Sequence, residues 1–325
     1  PRLSGRNAPK LVVGASGRDI LYLFDRHGNA VCIAAHTIPE CDDPKDASPL
    51  ASITPFSHGA EPVTALALPP DKLGRKDVNA FILFGTVKGM VKKTNLESLP
   101  GPSAKPFLAV KVSEGDALGW VQLTQGADDI CMITNQGMAI RFSEADVRPM
   151  GFAAAGVYGI RLDEEGSRVV GMGLATRHKE VLLISSTGWA KRTALNKFPK
   201  QGRYGKGVLA WKSGEDISLA GGAFGDAEDR AIAHLTKGAS RSIRFSDAPR
   251  RVRASAGKQL FEIPAGVEVS GLSSVIGRPT FETMQPPVER PGKSTKKKQK
   301  KKTAKEQSKK GTTKRKTKKK TTKKS

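Results

Sequence analysis

The stretch "QGRYGKG" (201–207) sets three glycines beside two cations, the makings of a phosphate-binding loop. Gly202, Gly205 and Gly207 open backbone conformations closed to other residues, and Arg203 and Lys206 place charge next to them. It is not a Walker A loop, which ends in Gly-Lys-Ser or Gly-Lys-Thr; here Lys206 is followed by Gly207. Further cations recur at related places. Lys92 with Lys93, Arg141, Lys191 with Arg192, and Arg241 with Arg244 each follow a glycine turn. Arg148, and Arg250, Arg251 and Arg253 of "RRVR", stand in the connecting segments. Such a set suits phosphate contact, although Lys and Arg also alternate outward on any solvated strand. No convergent acid, base, nucleophile and metal set accompanies it, so no catalytic residue is expected. The five histidines are scattered, and Cys32, Cys41 and Cys131 lack ligand or disulfide spacing. A reducing compartment and no metal site are expected.

Charge is unevenly spread. Residues 291–325 hold 17 Lys and one Arg against one Glu, a charge of +17 out of +24, leaving +7 on the first 290 residues. That tail has no aromatic and no aliphatic larger than Ala304, so it cannot bury a core and is expected to be disordered. Neutralising about ten phosphates, it would make log K fall by ~9 per decade of salt. It could equally serve as a solubility or nucleoid-targeting extension. No apolar run reaches the roughly 18–20 residues of a membrane span.

The elements that must position the cations are repeats. Alternating apolar segments broken by a glycine turn read "ILYLFDRHGNAVCI" (20–33), "AFILFGTVKGMVKKT" (80–94), "ICMITNQGMAIRF" (130–142), "VLLISSTGWAKRT" (181–193) and "AIAHLTKGASRSIRF" (231–245). Each predicts a β-hairpin. The turn glycines Gly28, Gly89, Gly137, Gly188 and Gly238 are 61, 48, 51 and 50 residues apart. A second landmark lies 19 residues beyond the last three: "GVYGIRL" at Gly156, "GVLAWKS" at Gly207 and "GKQLFEI" at Gly257. Looser copies are "PFLAVKV" from Pro106 and "PLASITP" from Pro49. A third apolar strand follows in "EGDALGWVQL", "EGSRVVGMGL", "GEDISLAGGAF" and "AGVEVSGLSSV".

About four short strands per unit leave each sheet with an uncovered apolar face. Stacking the sheets radially covers those faces. The expectation is an all-β, six-bladed propeller with most of its first blade missing. "PKLVVGASG" (9–17) reads as the last strand of that blade. Residues 1–17 are then its remnant, 18–280 the ring and 281–325 the tail. The chain opens on Pro1 rather than Met, so an upstream segment is expected. Equivalent offsets would repeat the cations around the rim, except in the first unit, where "NAVCIAAH" has lost them.

The runs "MITNQGMAIRFSEADVRPMGFAAAGVYGIRL" (132–162) and "LLISSTGWAKRTALNKFPKQGRYGKGVLAWK" (182–212) resemble the C-terminal domain of bacterial DNA gyrase A subunits and their topoisomerase IV counterparts. The resemblance extends over roughly residues 9–277. It implies a β-pinwheel, in which neighbouring blades exchange strands, and wrapping of double-stranded DNA around the basic rim. It also implies, as partners, a gyrase B-type ATPase with a second A-type chain, ATP and magnesium being bound elsewhere in the assembly. A cytoplasmic, nucleoid-associated location goes with it. Six blades point to gyrase rather than topoisomerase IV.

The family's box reads Gln-Arg-Arg-Gly-Gly-Arg-Gly, in the first blade. "QGRYGKG" keeps Gln201, Arg203, Gly205, Gly207 and a basic Lys206, with Gly202 and Tyr204 as departures, and falls in the fifth of the six expected blades. It reads as a degenerate relative. The cleavage tyrosine implied by the family has no counterpart: Arg203-Tyr204 lacks an acidic metal cluster. Tyr22 and Tyr158 are expected in the core, and Trp120, Trp189 and Trp211 between blades. A propeller serving as a protein-interaction platform, with DNA affinity confined to the tail, is the competing reading.

Overall fold

The computed structural model describes residues 2–279 and 281, apart from 44, 57–59, 104 and 213–217. Beyond Phe281, the Lys-rich tail lies outside the described residues.

All five predicted hairpins form. They are β2 (Ile20–Asp25) with β3 (Asn29–Ala34), β5 (Phe81–Thr86) with β6 (Met90–Asn95), and β9 (Asp129–Thr134) with β10 (Met138–Ser143). The last two are β13 (Glu180–Ser185) with β14 (Trp189–Ala194), and β18 (Arg230–Leu235) with β19 (Arg241–Arg244). On the first strand of each hairpin lies an inner strand of the same repeat: β4 (Pro62–Leu68), β8 (Leu118–Thr124), β12 (Val169–Leu174), β17 (Leu219–Gly225) and β21 (Val269–Ile276). These inner strands line one central cavity of about 410 Å³, touched by Leu66, Val121, Met172, Ala223 and Ser274.

The outer edge of each hairpin takes a two-residue strand from the next repeat. β7 (Phe107–Leu108) pairs with β3, β11 (Val157–Tyr158) with β6, β16 (Val208–Leu209) with β10, and β20 (Lys258–Gln259) with β14. These are the second landmarks of the sequence, so the strand exchange expected of a pinwheel is present. Steric contact explains the glycines that open three of them. A Cβ on Gly156, Gly207 or Gly257 would overlap the carbonyl oxygen of Val91, Ala139 or Ala190 in the preceding blade.

Five sheets are formed among the described residues, not six. β1 (Val12–Val13), expected to close a first blade of its own, instead runs parallel to β21 in the last sheet. Gly5 pairs with Ser240 at that sheet's outer edge. "PLASITP" also departs from expectation: Leu50–Ile53 form one α-helical turn.

Apolar faces meet between neighbouring sheets, as the radial argument requires. Leu83 and Val91 pack with Ile130, Met132 and Met172 between the second and third sheets. Ile133 packs with Val181, Leu183 and Trp211 between the third and fourth, and Leu182 and Ile184 with Ile243 and Phe245 between the fourth and fifth. Each such side chain contributes about 1.5–3 kcal/mol by leaving water. Tyr22 and Trp211 are buried as expected, but Trp189 is 38% exposed. Its strand position follows the hairpin turn, where only the short exchanged strand covers it.

Candidate nucleic-acid interface

The cations expected on the rim divide into two groups. Lys92, Lys93 and Lys191 are 1%, 4% and 0% exposed and lie beneath the surface. Lys92 Nζ donates to the carbonyl oxygens of Ala109 and Phe152, both at 2.8 Å. Lys191 Nζ donates to those of Val252, Arg253 and Ser255 at 2.7–3.1 Å. Phe152 and the three acceptors of Lys191 belong to segments that cross from the next repeat, and Ala109 to the segment by which Lys92's own repeat crosses to the first sheet, so the ammonium groups hold the exchange in place. Burial lowers both lysines to about 8. Lys93 bonds the carbonyl oxygen of Glu144, lies 3.4 Å from its carboxylate, and sits over the Phe81 ring. Placing these three on the rim is therefore corrected: the crossing segments cover an edge that strand alternation alone leaves open.

Arg141 and Arg192 are one-fifth exposed and organise a repeating feature. Each stands four residues past its turn glycine and opposite a crossing segment. Arg141 pairs in register with Lys200, in β15 (Lys200–Gln201), and Arg192 with Arg250. In both places two cations share one buried carboxylate. Arg141 and Lys200 reach Asp129 at 2.9 and 2.6 Å, and Arg192 and Arg250 reach Glu180 at 2.6 and 2.8 Å. A third trio, on an exposed carboxylate, lies on the exchange segments, where Arg161 and Lys206 both reach Asp163 at 2.7 Å. Lys206 and then Arg161 hold the Asp163 carboxyl below its usual range. Every trio keeps one positive charge in excess.

Among the described residues, the first two sheets lack this arrangement. Cys32 and Lys93 occupy the equivalent register, opposite Gly101 and Pro149. Cys32 Sγ donates to the Gly101 carbonyl at 2.8 Å. Loss of the cation from the first unit was legible in the sequence; burial of Lys93 was not.

Arg148, Lys206, Arg241, Arg244, Arg250 and Arg251 are exposed. Arg203 and Arg253 are half-buried and donate to the carbonyl oxygens of Tyr158 and Leu209. Arg241 occupies the position of Lys92 and Lys191 yet faces solvent: Gly5 meets this edge at Ser240 as a single bridge, and among the described residues no exchanged strand runs along β19. Lys200 and Arg161 were missed. The signal for Lys200 is its offset of 12 residues past Gly188, the same as that of Arg250 past Gly238. The "QGRYGKG" loop crosses the third sheet, with Tyr204 N donating to Gly159 O and Arg161 N to Gly205 O. Tyr158, expected in the core, is 54% exposed. Among the described residues no group of three or more His, Cys, Asp or Glu could hold a metal ion. No described helix is long and apolar enough to cross a membrane.

Residues 80–121, 128–175 and 179–210 match the family "DNA gyrase C-terminal domain, beta-propeller". The DNA gyrase A protein of Lawsonia intracellularis is 32% identical over 269 residues, which cover 82% of this chain and 32% of that protein. Its Escherichia coli counterpart is 32% identical over 209 residues, 64% of this chain and 23% of its own length. The chain thus spans a third or less of these relatives. Among solved structures, the C-terminal domain of DNA topoisomerase IV superposes with a TM-score of 0.70 at 26% identity, covering 80% of each chain. The DNA gyrase A C-terminal domain superposes at 0.65 with 17% identity, covering 81% of this chain and 85% of that one, a likeness of fold. With its second, third and fourth hairpins matched by the family and 82% of its length aligned to a DNA gyrase A protein, the chain belongs to the DNA gyrase C-terminal domain family of β-propellers.

Proposed function

We propose that this domain binds double-stranded DNA along the outer edges of its third, fourth and fifth sheets, without reading sequence, and bends it there. The observation that carries the reading is the repeat of two cations on one buried carboxylate at successive outer edges. The carboxylate fixes the pair, and the charge left over faces a polyanion that carries one negative charge per ~1.7 Å of axis. Exposed Arg148, Arg241, Arg244, Arg250 and Arg251 extend the surface, and Lys206 and Arg203 join it at the glycine loop. Contacts of this kind position a duplex and leave base identity unread. Lys92, Lys93 and Lys191 act indirectly, by holding the surface together.

In the full-length protein this makes the domain the DNA-wrapping part of the A-type chain of gyrase or topoisomerase IV. Five sheets do not separate the two. A second A-type chain, a B-type ATPase, and ATP and magnesium held outside this chain complete the assembly, in the cytoplasm and at the nucleoid.

The test is the salt dependence of duplex binding by residues 1–280. Arg241→Glu with Arg251→Glu should weaken binding at least tenfold and flatten the slope of log K against log salt by about 2, since each lost phosphate contact removes ~0.9. Unchanged affinity and slope would remove Arg241 and Arg251 from the binding surface, and failure of residues 1–280 to bind duplex at all would transfer DNA binding to the tail and leave the ring as an interaction platform.

A further inference from the structure

We propose that Tyr158 and Tyr204 form a stacking platform for an unpaired base, so that this surface holds locally opened or sharply kinked DNA more tightly than regular duplex. The inference rests on the reading of the rim as a DNA-binding surface. The two rings are 54% and 49% exposed, with centroids 5.0 Å apart and planes tilted by 33°. Backbone pairing between successive exchange segments brings them together. Tyr204 N donates to Gly159 O at 2.8 Å, Arg161 N donates to Gly205 O at 3.0 Å, and Arg203 donates to the Tyr158 carbonyl.

Tyr204 has φ +66°, and among the described residues it alone takes a positive φ without being glycine. A side chain there is strained, and glycine would avoid the strain. The fold gains no buried ring in return. Nor does the fold require aromatics at this register. The residues equivalent to Tyr204, five positions before the end of the other exchanged strands, are Ser103, Ala153 and Ala254. Those equivalent to Tyr158 in the other exchanged strands are Leu108, Leu209 and Gln259. Strain kept at an exposed position marks a ligand contact in preference to a packing need.

Chemistry selects the ligand. Arg203, Arg161 and Lys206 surround the rings, with Asp163 the sole carboxylate among these partners, so the surround is positive and suits phosphodiester. Bases in an intact duplex show only their edges, whereas an unstacked base offers the face on which an aromatic ring stacks. Duplex bent around a small ring unstacks most readily at its flexible steps.

The experiment uses the full chain and a short duplex carrying 2-aminopurine, either paired or inside a small mismatched bubble. The tail is common to all variants, so its contribution cancels in the affinity ratio. The unsubstituted protein should bind the bubble roughly tenfold more tightly than the paired duplex, the scale of one stacked base, and quench the probe. Tyr204→Gly, which relieves the strained φ, and Tyr158→Ala should lose both the preference and the quenching while binding paired duplex within about twofold of the parent. Tyr204→Phe should keep them. Intact duplex binding with no bubble preference, or a preference that survives Tyr204→Gly, overturns the platform and leaves the rim reading standing. If Arg241→Glu with Arg251→Glu binds both probes like the parent, the rim reading falls and the platform with it.

Discussion

A lysine ammonium surrounded by three carbonyl oxygens acts as a clamp, and Lys191 is placed in that way. Lys191→Met should cost about 1–3 kcal/mol, because buried acceptors lose their donor, and denaturant unfolding would measure it. The clamp also carries a pH signature. Burial draws its pKa from 10.5 to about 8, so between those values the unfolded chain holds a proton that the folded chain releases. Its contribution to stability therefore rises with pH across that window. The gap in unfolding free energy between the parent and Lys191→Met should widen from about pH 8 to about pH 10; a constant gap would show that Lys191 keeps its ordinary pKa. The charge pattern was legible at this scale, and its direction was not. Alternation along a strand marks two faces, but in Lys92 and Lys191 both ends of the side chain are covered, by the neighbouring blade and by a crossing segment that arrives from about 60 residues away. Nothing in the local sequence separates them from Arg241, which sits at the same offset and faces solvent.

Exchange between repeats explains which glycines matter. Gly137 and Gly238 both turn a hairpin with positive φ, +76° and +97°. At Gly137 a Cβ would lie 2.8 Å from the Trp211 carbonyl oxygen, because the exchanged segment of the next repeat passes there. At Gly238 a Cβ meets nothing within 4 Å. Gly238→Ala should thus cost only the left-handed strain, about 1–2 kcal/mol, and Gly137→Ala distinctly more. Equal losses in thermal or denaturant unfolding would contradict the open space beside Gly238. The hairpins, their spacing and the positions of the exchanged strands could all be read from the glycine repeat. That an exchanged strand pairs with the preceding blade came from the family resemblance, since a two-residue strand carries no periodicity of its own. The turn at Leu50–Ile53 and the seating of β1 on β21 escaped for the same reason: each depends on which edges remain free once the ring has assembled.

At the level of the whole molecule, the two ends of the ring are joined by β1 on β21 and by a bidentate ion pair between buried Asp19 and Arg278, at 2.7 Å for both hydrogen bonds. Arg278 holds the Asp19 carboxyl below its ordinary 3.8. A carboxylate depressed in the folded state adds stability above its unfolded pKa and loses it as pH falls through the folded one. Asp19→Asn should therefore cost about 1–3 kcal/mol at neutral pH, and the cost should shrink in acid below about pH 3.8. A deficit that stays constant into acid would show that the pair does not titrate as described. Whether the joined ring bends DNA is tested most directly by topology. Residues 1–280 are bound to nicked circular DNA, the nick is ligated, the protein is removed, and the topoisomers are compared with a protein-free control. The proposed rim predicts a shift in linking number that grows with protein concentration and is lost in Arg241→Glu with Arg251→Glu. An unshifted distribution at saturating protein would contradict it.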